Sequence, residues 1–382
     1  MSPGRGHPFI VPEVARVFEP MERCDVLIVG GGPAGSSCAW ALGGSGLDVV
    51  VMDRSPFPRD KVCAGWITPP LTEILGLDLT DYARDHTLQP ITAFRTGLLG
   101  GRPIDTGYDR TVSYGIRRCE LDDYLLRRAG ARLILGESVR EIARDGAEWI
   151  VNGRLRAPML VGAGGHACPV ARHLRGDANG QVPVIRAQEA EFPVPRGAGG
   201  AVRGEAPELY FCADLAGYGW VFRKGDYLNV GLGREDPRDL PGHVARFCAW
   251  LRETGRLDQD PTGFKGHAYR LYDAGMPSPV ADGVLLIGDA AGLAHPQTGE
   301  GIRPAAESGL AAAATIRESA GDCRGERLAG YVERLHRSLG RPGAGPSGWV
   351  PGAARLALGR ALLRSPWLTR RVVLDGWFLQ GA

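Results

Sequence analysis

The chain has 382 residues, 44% of them apolar, a length that suits two lobes better than one core. Lys and Arg number 45 against 43 Asp and Glu, and the resulting net charge of +2 argues against nucleic acid as the main partner. The eight cysteines contain no C-x-x-C pair and no apolar run reaches the length of a membrane span, so a disulfide framework, a zinc site and a transmembrane helix are not expected, and a cytoplasmic location is.

Residues 1–21 carry prolines and charges and read as a tail, without the apolar core of a signal peptide. The apolar run Cys24–Val29 then meets Gly30-Gly31-Gly32-Pro33-Ala34-Gly35, a small-residue helix from Ser36 to Leu42, and a second apolar run, Asp48–Asp53. This predicts a strand–turn–helix–strand unit with Gly30, Gly32 and Gly35 in G-x-G-x-x-G register. In such a unit Gly30 permits the tight turn, Gly32 admits a pyrophosphate and Gly35 lets helix and strand lie close, while Pro33 opens the helix and the free N–H groups from Ala34 onward face the phosphates. Asp53 falls where an acid accepts hydrogen bonds from an adenosine ribose, with Arg54 beside it.

The loop 54–70 contains Lys61 and Cys63, and 117–129 reads as an amphipathic helix with Leu121, Leu125 and Leu126 on one face. Strands are expected at 132–135, 149–151 and 159–161. From about 182 to 233 the pattern changes to short strands joined by Gly/Pro turns, at 184–192, 208–211, 219–222 and 227–232, which predicts an antiparallel sheet. Tyr218, Trp220 and Phe222 alternate along one of these strands and so share a face, as core or as the wall of a substrate pocket; Lys61 and Lys224 are expected to be solvated, Lys224 in a turn.

A further strand, 284–287, ends in Gly288-Asp289-Ala290-Ala291-Gly292, and Gly299, Glu300 and Gly301 open an alanine-rich helix running from Ile302 to Ile316. Asp289 at a strand end suits the ribityl chain of FAD. Backbone N–H groups of Gly299, Gly301 and Ile302 at a helix start suit the ring edge that becomes negative on reduction. His295, just before Pro296, is placed beside the ring, read either as a packed histidine or as a candidate for proton transfer.

The segments 30–35, Arg118-x-x-Leu121-Asp122-x-x-Leu125 and 288–292 together resemble the FAD-dependent oxidoreductases of the p-hydroxybenzoate hydroxylase fold, and within them the geranylgeranyl reductase family. The loop 57–65, the segment 218–226 and Asn229-Val230-Gly231 are similar to that family's, with Ala64 where it has glycine, Arg223 where it has proline, and Gly164 where it has an acid. The resemblance implies an α/β, Rossmann-like FAD-binding domain of the glutathione reductase/p-hydroxybenzoate hydroxylase type with an inserted antiparallel-sheet substrate domain. On that basis 22–75, 110–176 and 277–335 form the FAD domain, 76–109 and 177–276 the substrate domain, and 336–382 a helical C-terminal cap. It also implies that Arg118 helps to hold FAD, that Cys63, Tyr218 and His295 are candidate catalytic groups, that Trp220 and Phe222 line the substrate pocket, and that NAD(P)H is the electron donor. The activity implied is reduction of a C=C bond in a hydrophobic, isoprenoid or secondary-metabolite substrate; the alternative is hydroxylation of an aromatic or polyketide molecule by a flavin monooxygenase. A non-catalytic adaptor is a third reading, in which the arginine-rich tail 349–382, with Leu356, Leu358, Leu362 and Leu363, contacts a membrane surface.

Overall fold

The computed structural model describes residues 21–176, 184–194, 201–236, 238–273, 275–343 and 352–379. The tail expected at 1–21 therefore lies outside the described residues except for Met21, as do the first residues of the C-terminal stretch.

Val26–Val29 is buried along its whole length, which requires cover on both faces, and it takes the centre of a six-stranded sheet. The strand order is Val280–Ala281, Val284–Leu286, Met159–Gly162, Val26–Val29, Val49–Asp53 and Arg132–Leu135, parallel throughout apart from the first pair. The early and late nucleotide-type strands thus belong to one sheet, with Met159–Gly162 between them. The helices that follow those two strands, Pro33–Leu42 and Ile302–Ser319, pack on each other through small residues: a Cβ on Gly309 would lie 2.3 Å from the Ala34 carbonyl oxygen. This contact brings the two ligand-facing helix starts side by side.

The second lobe is a seven-stranded sheet in the order Lys265–Tyr269, Ile185–Pro193, Tyr227–Arg234, Gly217–Lys224, Glu208–Phe211, Ala93–Leu98 and Ile104–Gly107. Its antiparallel character has one exception, the parallel pairing of Glu208–Phe211 with Ala93–Leu98, because the latter strand arrives from a distant part of the chain. One face carries Tyr210, Val221 and Val230 and is covered by the amphipathic helix Leu240–Glu253 through Val244, Phe247 and Leu251. The other face looks toward the nucleotide-binding sheet. A C-terminal run of Gly352–Leu362, Pro366–Leu368 and the π-helical Thr369–Phe378 folds against this second face, burying Leu363, Val373 and Phe378 on Ala187, Leu209 and Trp220. Three further strands, Trp66–Ile67, Leu88–Ile91 and Ser113–Ile116, form a small sheet that carries the loop ending at Trp66 toward the same space.

Candidate active site

Between the lobes lies a cavity of about 470 Å³ whose wall includes both sequence motifs. At one end are Gly30, Gly32, Pro33, Ala34, Asp53 and Arg54; farther along come Arg118 and Asp289, then Gly299, Gly301 and Ile302; Cys63, Tyr218 and Trp220 belong to the same wall. The glycines of the first turn are there for lack of room. Gly30 has φ +117°, and a Cβ there would meet the Ala163 carbonyl oxygen at 2.3 Å. Gly35 stands behind the lining, where a Cβ would lie 1.9 Å from the Gly30 carbonyl oxygen. No side chain caps the helix Pro33–Leu42, so its first N–H groups remain available to a ligand. Asp53 accepts hydrogen bonds from the N–H groups of Gly31 (2.8 Å) and Ser55 (2.9 Å), which fixes its carboxylate at the strand end.

Asp289 occupies a 3₁₀ turn after the Val284–Leu286 strand, with His267 Nε2 at 3.6 Å. Burial alone would push this carboxyl up, but His267 and then Lys61 outweigh it and hold it below its ordinary value. The helix Ile302–Ser319 also starts without a side-chain cap, and Tyr218 fastens the loop before it by donating its hydroxyl to the Thr298 carbonyl at 2.6 Å. The Tyr218 proton is therefore engaged in holding that loop. Arg118 is buried and grips Asp122 with two parallel hydrogen bonds of 2.8 and 3.0 Å, an i, i+4 pair on one helix, and it also acts on the neighbouring Cys63 thiol. The Gly65 N–H donates to Cys63 Sγ at 3.4 Å.

Gly288 also stands behind the lining, buried against Ala34 and Ala305, and two side-chain candidates fall outside it. His295 packs behind the loop, its Nδ1 at 3.3 Å from Thr298 Oγ1, and burial followed by Arg303 lowers its pKa. Phe222 shares the strand face of Tyr218 and Trp220 yet is excluded for a reason visible in the register. Tyr218 faces Gly233 and Ala187 in one cross-strand row, and Trp220 faces Gly231 and Glu189 in the next; both rows reach the cavity. Phe222 belongs to a third row, with Asn229 and Glu191, and the loop 63–66 and the strand Ser113–Ile116 lie on top of it. It packs with Ile91, Phe94 and Leu374 instead.

Neither lysine is solvated as expected. Lys61 lies against the His267 ring, with Nζ at 2.8 Å from Nε2, and burial, then Arg118, pushes it down to about 8. Lys224 is 0% exposed; it ends the Gly217–Lys224 strand, pairs with Glu191 and donates to the carbonyls of Ala64 (2.9 Å) and Ile116 (3.1 Å). Sequence reasoning also missed His267, Glu189 and Glu300, all of which line the cavity. Glu189 had a legible signal: it occupies an inward position, in step with Glu191, of a strand that was recognised. His267 had none, because its short edge strand has no apolar alternation.

The cavity passes the test of fit for a dinucleotide cofactor on three counts: glycines where any Cβ would strike backbone, two uncapped helix starts on one wall, and a carboxylate at each of two strand ends. Together with the inserted sheet these features define an FAD-dependent oxidoreductase of the p-hydroxybenzoate hydroxylase fold. Residues 25–99 match the FAD dependent oxidoreductase family. A menaquinone reductase of Mycobacterium tuberculosis (strain ATCC 25618 / H37Rv) is 31% identical over 321 residues, covering 76% of this chain and 76% of that protein. Digeranylgeranylglycerophospholipid reductase 2 of Methanothermobacter thermautotrophicus is 31% identical over 345 residues, covering 84% of this chain and 85% of that protein. The crystal structure of a geranylgeranyl bacteriochlorophyll reductase-like protein from Thermoplasma acidophilum superposes with a TM-score of 0.71 at 22% identity, over 94% of this chain and 92% of the other. The chain belongs to the geranylgeranyl reductase-like family of FAD-dependent oxidoreductases. Among the described residues no helix is long and apolar enough to cross a membrane.

Proposed function

We propose that the enzyme reduces a carbon–carbon double bond in a hydrophobic, prenyl-bearing substrate, with NAD(P)H as the source of electrons. The observation that carries this reading is the aromatic end of the cavity, where Trp66, Leu209, Tyr218, Trp220 and Phe378 form an apolar pocket directly continuous with the cofactor groove. Trp66 and Phe378 stack with ring centres 5.4 Å apart, and Phe378 meets Tyr218 edge-on at 5.7 Å. Such walls recognise an isoprenoid chain by burial alone, and the relatives named above act, by their names, on prenylated molecules.

FAD, once bound and reduced, supplies the hydride equivalent. Gly30, Gly32 and Ala34 would hold its pyrophosphate, Asp53 its ribose, Asp289 its ribityl chain and the 299–302 backbone its ring edge. Arg118 keeps a fixed positive charge beside Cys63, and Tyr218 keeps the 295–301 loop in place at the mouth of the apolar pocket. The stacked Trp66 and Phe378 exclude water from the reacting end.

The test is anaerobic. Photoreduced enzyme mixed with geranylgeranyl diphosphate, whose only reducible groups are its double bonds, should lose the reduced-flavin spectrum and yield a product heavier by two hydrogens. No reoxidation by any prenyl compound, together with labelled oxygen appearing in an aromatic product under ¹⁸O₂, would assign hydroxylation instead.

A prenyl substrate resides in lipid, and the C-terminal run presents Leu358 (58% exposed) and Trp367 (68% exposed) near Arg360 and Arg364. This patch suits the surface of an anionic membrane. Replacing Leu358 and Trp367 by serine should reduce co-sedimentation with anionic vesicles while leaving bound FAD unchanged; equal co-sedimentation would remove the patch from the account.

A further inference from the structure

Glu189 is the one acid that the inserted sheet presents to the apolar end of the cavity. It shares a cross-strand row with Gly231, Trp220 and Leu209. Gly231 matters to this geometry, because a Cβ there would strike the Trp220 indole at 2.2 Å; its absence lets the ring lie across the row toward Glu189. The carboxyl is only 7% exposed, it lines the cavity, and its Oε2 is buried without a hydrogen-bond partner. The Asn229 side chain and the Cys63 backbone N–H approach the same group, which ties it to the loop bearing the expected catalytic cysteine. Its neighbour two residues on, Glu191, faces the third row and is neutralised by Lys224 and Arg117, so the two carboxyls of one strand have different fates. A buried carboxyl with an idle oxygen is retained at a cost unless that oxygen has a use.

We propose that Glu189 is the proton donor of the reaction, its O–H bond breaking as a C–H bond forms on one carbon of the substrate double bond while the other carbon receives the hydride. This rests on the reductase reading above. The balance is complete: the alkene gains two electrons and two hydrogens, reduced FAD is oxidised as the hydride source, and the Glu189 carboxylate regains its proton from water between turnovers. Glu189 thereby takes the proton-transfer role that the sequence suggested for His295, which lies outside the cavity lining.

The charge environment agrees. Burial, against the pull of Lys224 and with the push of Glu191, raises the carboxyl to about 8, so the acid is neutral at ordinary pH. Lys265 from the edge strand is the remaining charge beside it, and that ammonium is exposed and paired with Asp60.

The experiment compares wild-type holoenzyme with Glu189→Gln, which keeps the shape and an accepting oxygen but has no acidic proton. The variant should bind FAD stoichiometrically and be reoxidised by ferricyanide at the wild-type rate. Reoxidation by geranylgeranyl diphosphate should slow by about 10²–10⁴-fold, the usual contribution of a placed general acid. The wild-type rate should fall as pH rises through about 8, and this inflection should be missing from the residual activity of the variant. Independently of turnover, an infrared carboxylic-acid C=O band present in the wild type at neutral pH should be lost in Glu189→Gln. A variant reoxidised by prenyl alkenes as fast as an active wild type, or an unchanged infrared band, overturns the proposal. A wild type inert to every prenyl alkene overturns the reductase reading itself, and the donor role with it.

Discussion

Gly35→Ala should purify without its yellow cofactor. The new Cβ would lie 1.9 Å from the Gly30 carbonyl oxygen, and a tolerable contact of at least 3.0 Å demands about 1.1 Å of retreat by the start of the Pro33–Leu42 helix. That retreat is blocked, because Gly309 of the long Ile302–Ser319 helix lies against the Ala34 carbonyl on the other side. Nor can the flexible end of a side chain yield, since the struck atom is backbone. Overpacking of this kind costs about 1–3 kcal/mol even where neighbours can adjust, and a loss at the upper end of that range in the ligand-facing turn corresponds to roughly 100-fold weaker binding. The measurement is FAD per chain after purification and by titration of apoprotein. Gly330→Ala provides the control: its Cβ would meet nothing within 4 Å, so cofactor content should stay as in the wild type. If Gly35→Ala retained FAD at wild-type affinity, the early turn would not be what holds the cofactor.

The cofactor half of the site was readable in the sequence because its chemistry is local. Around Gly30–Gly35 the strand, turn and helix start fall within about a dozen consecutive residues and around Gly288–Asp289 within about twenty, and the turn constraint is written directly as glycine. The substrate half was legible only as periodicity. Alternation placed Tyr218, Trp220 and Phe222 on one face correctly, but which rows of that face stay open is decided by the loop 63–66 and the strand Ser113–Ile116, from far away in the chain. Phe222 was misplaced for that reason. The lysines fail for a related one. In isolation Lys224 next to Gly225-Asp226 reads as a turn charge, and nothing nearby announces that Glu191, in another strand, will neutralise it in the interior. Lys61 likewise acquires its His267 neighbour only when an edge strand from the insert closes over the loop. The parallel pairing of Ala93–Leu98 with Glu208–Phe211 has no sequence signature at all, since the two strands are separated by more than a hundred residues.

Lys224→Met should be the most destabilising single substitution on the substrate side. The ammonium is the knot joining three segments: it pairs with Glu191 of the Ile185–Pro193 strand and donates to Ala64 of the Cys63 loop and to Ile116 of the small sheet. Methionine fills much of the volume but leaves two buried carbonyls without that donor and one carboxylate with reduced compensation. Removing one partner of a buried pair typically costs about 3–5 kcal/mol, and the lower end applies here because Glu191 keeps hydrogen bonds from Arg117 (3.0 Å) and Asn229 (3.2 Å). Lys224→Met combined with Glu191→Gln should recover part of the loss, giving a coupling of about 1–3 kcal/mol in a double-mutant cycle followed by denaturant unfolding. The acid limb supplies a second readout. Burial pushes Glu191 up, but Lys224 together with Arg117 and Asn229 outweighs it, so the folded pKa lies below the ordinary 4.5. A depressed carboxyl contributes stability above its unfolded pKa that is lost as pH falls through the folded one. The wild type should therefore lose stability on acidification below about 4.5, and Lys224→Met should show a shallower decline over the same window. Equal stability of Lys224→Met and wild type, or strictly additive single substitutions, would mean that this buried pair does not fasten the Cys63 loop to the sheet.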